Sequence, residues 1–181
     1  MNKQPLTQIP FFVYGTLLPN QPNFHLWGDG IVAMEDARLH NGRLHDLGNY
    51  PMLIEAGNQQ VHGKLITVAA DSYQKIMTQL DTLEGYNPEQ PHASAYRRIE
   101  REVEGANSLP PRKSGGRLHS AWIYIGQEPY TFGMPFIESG NWTTYIANEM
   151  EHIQAWWATI DSVADLTDLN NTSRSSTSLR R

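Results

Sequence analysis

Phe11-Phe12-Val13-Tyr14-Gly15-Thr16-Leu17-Leu18 is a run of aromatic and β-branched residues that ends abruptly in a glycine. With Ile9 in front of it, broken only by Pro10, the run has the character of a buried strand, expected over Ile9–Tyr14. Gly15 at its end permits torsions that a Cβ would forbid and lets another group approach the main chain closely. Consecutive N–H groups leaving such a turn can converge on an anion or a developing oxyanion. The plain alternative is a core strand that ends in an ordinary turn.

Further along, Asp71-Ser72-Tyr73-Gln74-Lys75-Ile76-Met77-Thr78-Gln79-Leu80-Asp81-Thr82-Leu83-Glu84-Gly85-Tyr86 reads as a helix. Asp71 is placed to cap its start and Gly85 to end it. Tyr73, Ile76, Met77, Leu80 and Leu83 recur at helical spacing and form one apolar stripe. Glu84 lies four residues after Leu80 and seven after Met77, which puts a carboxylate on or beside that stripe at the helix C-terminus. Burial and the negative end of the helix dipole both favour its neutral form, so its pKa is expected above the ordinary value. That is the direction a general base near neutrality needs. The competing reading has Glu84 at the rim of the core, pointing to water. Asp81 is placed on the polar side of the same helix and read as solvated.

Outward from these two stretches the chain is mostly strands and turns. Leu18-Pro19-Asn20-Gln21-Pro22-Asn23 is a loop, and Gly28-Asp29-Gly30 a turn without the spacing or lysine of a phosphate loop. Short strands are expected at Ile31–Leu39, Gly42–Asp46, Pro51–Ile54 and Val61–Val68, parted by turns at Asn41-Gly42, Gly48-Asn49 and Gly57-Asn58. Tyr96–Val103 reads as a charged strand with both edges near solvent, Glu104–Leu118 as the least structured interior stretch with a mobile hairpin tip at Leu109–Gly116, and His119–Gly126 as a last strand. Asn141 or Thr143 caps a second helix running to about Ile160, with Trp142, Tyr145, Ile146, Met150, Ile153, Trp157 and Ile160 as its buried stripe. Several strands and two helices without β-α-β alternation give an α+β domain whose sheet curls toward a barrel. A single domain is expected over 9–162, with 163–181 as a disordered tail poor in apolar residues.

The 181 residues suffice for one real core. No apolar run approaches the length of a bilayer span, and Met1-Asn2-Lys3-Gln4-Pro5-Leu6 lacks a signal-peptide core, so a cytoplasmic protein without membrane contact is expected. The absence of Cys removes disulfides, thiolate metal sites and a cysteine nucleophile. A net charge of −5 offers no electrostatic footprint for nucleic acid. Seven His are scattered without the i, i+4 pairing of a helical metal site, and no serine-hydrolase elbow or nucleotide loop occurs. What remains is one buried acid and a loop of backbone donors.

Tyr14-Gly15-Thr16-Leu17, Leu83-Glu84-Gly85-Tyr86 and Tyr96-Arg97-Arg98, in this order, resemble the γ-glutamylcyclotransferase-like family in its AIG2-like branch. The likeness extends to His45-Asp46-Leu47-Gly48-Asn49-Tyr50-Pro51 with Val61-His62-Gly63-Lys64-Leu65, and to Trp122-Ile123-Tyr124 and Ser139-Gly140-Asn141-Trp142. It covers roughly Phe11 to Trp142, apart from the Glu104–Leu118 insertion. Where the family's first loop often carries a Gly, this chain has Asn20. The resemblance implies a small mixed β-barrel with helices packed outside and a cofactor-free, metal-free cavity for a small γ-glutamyl substrate. It implies that the main chain of Gly15, Thr16 and Leu17 holds the substrate carboxylate, with the Tyr14 ring lining the pocket and Tyr96 and Tyr124 in contact.

The same resemblance makes Glu84 the acid/base of a γ-glutamyl cyclotransferase, an amide-cleaving, ring-closing enzyme of lyase or transferase type. The substrate's α-amino group attacks its own γ-carbonyl, 5-oxoproline forms, and a γ-linked amine or amino acid leaves. The other class of function open to the chain is a non-catalytic member of the fold that binds a small metabolite or a protein partner. A carboxylate on an apolar stripe favours the enzyme, because a binder has no need of one.

Overall fold

The computed structural model describes residues 8–106 and 117–158. The tail expected over 163–181 and the hairpin tip expected over Leu109–Gly116 lie outside these described residues. The chain divides into two compact units, residues 1–143 and 144–181.

Five strands, β1 (Phe11–Val13), β2 (Ile31–Asp46), β3 (Pro51–Val68), β4 (Tyr96–Gly105) and β5 (Arg117–Gly126), lie in the first unit with helix α1 (Tyr73–Leu83). They are hydrogen-bonded in the order β1-β3-β2-β4-β5, and a parallel pairing of Phe11 with Trp122 brings β5 back to β1. The other pairings are antiparallel, so the ring is mixed, within the α+β class expected.

Two of the turns expected within Ile31–Val68 are not turns. β2 and β3 are long strands of one hairpin, paired from Ile31↔Val68 down to Asp46↔Pro51, and only the Gly48-Asn49 signal marks a chain reversal. At Asn41-Gly42 the register shifts instead, with Asn41 at φ 61°, while Gly57 on the partner strand stands at φ 94°. A left-handed residue beside a glycine serves a bulge as well as a hairpin, and a bulge bends a long strand without ending it. β4 also differs from expectation, since it pairs with β5 along its whole length and with β2 at Ala37 and Arg38.

α1 buries Tyr73, Ile76, Met77 and Leu80 against the sheet, each contributing roughly 1.5–3 kcal/mol by the usual reckoning of apolar burial. They share one cluster with Phe11 and Val13 of β1 and with Trp27, whose ring meets Phe11 edge-on at 5.7 Å. Leu83 leaves the stripe and is exposed. Ser72, not Asp71, occupies the N-cap position, and its hydroxyl donates to the Asp71 carboxylate rather than capping the helix. The helix ends in a Schellman motif: Tyr86 N–H donates to Asp81 C=O (2.8 Å) and Gly85 N–H to Thr82 C=O (3.3 Å), with Gly85 at φ 60°.

The second helix, α2 (Trp142–Ala158), starts within the expected stretch. Trp142 is buried and donates its indole N–H to Gln21 Oε1 (3.3 Å), but Met150, expected on a buried stripe, is 54% exposed. The side chains of Ile153 and Trp157, and Ile160 altogether, lie outside the described residues.

Candidate functional site

The loop leaving β1 is the first wall of a cavity of about 600 Å³, a volume in the range of small-molecule sites. Tyr14, Gly15, Thr16, Leu17, Glu84, Tyr96 and Tyr124 all line it. The loop is shaped by its own main chain: Leu18 N–H donates to Gly15 C=O (3.0 Å) and Asn23 N–H to Thr16 C=O (2.9 Å). The Asn23 amide also donates to the Thr16 hydroxyl (3.0 Å), and Trp27 Nε1 donates to Leu17 C=O (3.0 Å). The carbonyls of Gly15, Thr16 and Leu17 are thus spent on holding the loop. Their three N–H groups have no acceptor among the described residues. Adjacent unpaired donors on a cavity wall are suited to an anionic or carbonyl oxygen.

Asn20 stands at φ 63°, a left-handed conformation that glycine adopts freely and asparagine tolerates. Asparagine at this position is therefore compatible with the backbone the loop adopts.

Glu84 is the C-cap residue of α1, held by its N–H to Leu80 C=O (3.0 Å). Its carboxylate has no hydrogen bond or ion pair among the described residues, and it is the one acidic side chain on the cavity wall, which carries no Lys, Arg or His. Burial against that wall pushes its pKa up from 4.5 to about 7. The residue is half-buried and lines the cavity. An occupant that displaces solvent from the cavity would strengthen the upward shift.

The tyrosines are wall rather than proton donors. Tyr14 O–H donates to Tyr124 C=O (2.7 Å), Tyr96 O–H to Pro51 C=O (3.2 Å), and Tyr124 O–H to Asp81 Oδ1 (2.7 Å). Burial raises the pKa of all three, reinforced for Tyr124 by its bond to Asp81 and for each by the charge of Glu84. Their hydroxyls stay protonated and committed to the protein, leaving Glu84 as the wall group that titrates near neutrality.

Two parts of the site were not legible as such. Pro22 and Asn23 from the first loop, and Asn49, Tyr50 and Pro51 where β2 turns into β3, also line the cavity. The second correction concerns Asp81, which is not solvated: its side chain is 16% exposed, accepts Arg98 Nη1 at both oxygens (2.9 and 2.7 Å) and accepts the Tyr124 hydroxyl. Asp81 lies four residues after Met77 and eight after Tyr73, so the period that drew attention to Glu84 also places Asp81 at the edge of the buried stripe. As for metals, no group of three or more His, Cys, Asp or Glu among the described residues is placed to hold an ion.

Fold and site together define an α+β protein with a small-molecule cavity served by a single poised carboxylate. The gamma-glutamyl cyclotransferase, AIG2-like family model matches residues 11–144, and the chain belongs to that family. It is 33% identical over 132 residues to a Vibrio cholerae protein named "Putative gamma-glutamylcyclotransferase", covering 72% of this chain and 92% of that one. In fold it is similar to the crystal structure of an AIG2-like protein of Mus musculus, at 24% identity and TM-score 0.53 over 72% of this chain and 86% of that one. It is similar also to YkqA of Bacillus subtilis, at 21% identity and TM-score 0.53, where 79% of this chain is covered. This chain spans 42% of the length of that Bacillus protein. No helix among the described residues is long and apolar enough to cross a membrane.

Proposed function

We propose that the protein is a γ-glutamyl cyclotransferase that converts a γ-glutamyl amine or γ-glutamyl amino acid to 5-oxoproline and free amine. The observation that carries this reading is Glu84, a lone carboxyl with a pKa near 7 in the same cavity as three unpaired main-chain donors. The N–H groups of Gly15, Thr16 and Leu17 would take the carboxylate of the γ-glutamyl group, and the Tyr14, Tyr96 and Tyr124 rings would enclose its chain. Glu84 would accept a proton from the α-ammonium group, freeing the amine to attack the γ-carbonyl carbon. The new N–C bond closes a five-membered ring as the bond from that carbon to the γ-nitrogen breaks. Glu84 returns that proton to the departing nitrogen, and the second proton shed by the ring nitrogen as it becomes a lactam N–H passes to the released amine, which leaves as an ammonium, so neither water nor cofactor is consumed.

Because attack is intramolecular in the free substrate as well, the enzyme adds the fixing of the folded conformer and the proton transfers of Glu84. A carboxyl titrating near 7 can both take and return a proton at neutral pH, which one titrating at 4.5 does poorly. The test is incubation with a panel of γ-glutamyl amines and γ-glutamyl amino acids, with 5-oxoproline as the readout. Formation of 5-oxoproline by the wild type, and its loss in Glu84→Gln, is the expected result. A panel that yields none would put a non-catalytic ligand-binding role first.

A further inference from the structure

Asp81 touches the site from behind. Its carboxylate takes three hydrogen bonds, two from Arg98 Nη1 and one from the Tyr124 hydroxyl, while its main-chain carbonyl accepts Tyr86 N–H and so closes the Schellman turn around Glu84. Arg98 is fixed in its turn, with its guanidinium 5.5 Å from the centre of the Tyr86 ring and 5.2 Å from that of Trp122. Trp122 donates its indole N–H to Tyr73 O–H (3.1 Å) at the start of α1. The start of α1 is therefore tied to β5 and its end to both β4 and β5, with Asp81 as the tie at the Glu84 end.

We propose that Asp81, gripped by Arg98 and Tyr124, is the positioning residue that aims Glu84 and the Tyr124 ring into the cavity. The proposal rests on Glu84 being the acid/base. Glu84 has no side-chain partner among the described residues, so its direction depends on where the last turn of α1 holds its backbone. That turn meets the sheet through the apolar Leu80 and through Asp81, its one polar tie among the described residues. Arg98 is 13% exposed, and with Asp81 neutral it would be a buried cation without its partner, which costs far more than an unformed surface pair. Burial alone raises the Glu84 pKa; the groups that feel its charge are Tyr14 after β1, Tyr96 on β4 and Tyr124 on β5, with Tyr50 on the same cavity wall, and Tyr124 in turn feels both Asp81 and Arg98 of β4. Arg98 is the one cation in this set. Unpaired, it would pull the Glu84 titration downward, and a loosened turn that exposes Glu84 would move it the same way.

The experiment uses full-length Asp81→Asn, Arg98→Lys, Arg98→Met and Glu84→Gln, assayed with whichever γ-glutamyl compound the wild type cyclises fastest. Alongside, the Glu84 carboxyl is titrated by carbon NMR in the wild type, Asp81→Asn and the Arg98 variants, which needs no turnover. Asp81→Asn is expected to lower kcat about 10- to 100-fold, the cost of a displacement of about 1 Å, with KM little changed. Its Glu84 should titrate below the wild-type value of about 7. Arg98→Lys should recover part of what Arg98→Met loses, because the charge on Asp81 is still met.

An Asp81→Asn protein with wild-type kcat and an unmoved Glu84 titration would reduce Asp81 to a stabilising residue, whatever its melting temperature. Glu84→Gln at full rate would instead remove the acid/base reading, while the titration still reports whether Asp81 controls the environment of Glu84. Should Asp81→Asn fail to fold, the Arg98 pair decides: equal kcat and equal Glu84 titration in Arg98→Lys and Arg98→Met would overturn the proposal.

Discussion

Pro51 presses so closely on the main chain of Gly15 that a Cβ there would fall 2.7 Å from its Cγ and 2.9 Å from its Cδ. The β2–β3 turn thereby clasps the loop that follows β1, and the Tyr96 hydroxyl, donating to Pro51 C=O, holds the turn from the other side. Gly15 is glycine for the sake of this approach. It is not among the positive-φ positions of the chain.

Gly15→Ala should therefore destabilise the fold by about 1–3 kcal/mol, the usual cost of overpacking a close contact. It should also weaken substrate binding, since the loop moves with Pro51. Thermal unfolding and KM measured together check both effects. An unchanged melting temperature would show that the turn yields without cost.

The carboxyl of Glu84 makes both stability and activity depend on pH. Its folded pKa, about 7, exceeds the ordinary 4.5, so between these values the folded state binds its proton more tightly than the unfolded chain does. The contribution of Glu84 to stability is thus greatest at or below pH 4.5 and is lost as pH rises through about 7. In Glu84→Gln this slope should be absent from denaturant midpoints taken from pH 5 to about 8, and stability near neutrality should hold or rise slightly. For the proposed reaction the sign is opposite: kcat/KM should climb through about pH 7 as the base form appears. The variant should be slower by at least ~100-fold.

At Asn20 the left-handed backbone, φ 63°, sets a graded series. Asn20→Gly should be nearly neutral, whereas Asn20→Val should cost about 1–2 kcal/mol, because a β-branched side chain meets the following carbonyl in this conformation. Melting temperatures of the two variants measure the difference. Equal values would mean that the loop is free to refold around position 20.

Chelation should leave the activity unchanged. The chain has no Cys, and among the described residues no three potential ligands gather. Rates measured before and after dialysis against EDTA are expected to agree. A loss that zinc restores would overturn the cofactor-free mechanism.

Much of the site was legible in the chain because its parts are local. A strand that runs into Gly15, and a carboxylate one helical repeat beyond Leu80 and Met77, are patterns contained in a few consecutive turns or residues. The misreadings came from local signals with two structural outcomes. Asn41-Gly42 supports a hairpin or a bulge, and only the pairing of β2 with β3 on both sides of it selects the bulge. Asp81 borders the buried stripe, and a border residue is solvated or paired according to what the sheet presents there.

Sequence alone determined which stretches are strand and which helix, the core-facing stripe of α1 from Tyr73 to Leu80 and the family resemblance, since all of these follow from the order of residues within short spans. The tertiary structure decided which distant groups meet. Arg98 reaches Asp81 across 17 residues, Tyr124 reaches it across 43, and Tyr14 finds the carbonyl of Tyr124 across 110. No helical or strand period links positions so far apart. Their meeting depends on the closure of the sheet from β5 back to β1, and on the burial that makes each unpaired polar group too costly to leave alone.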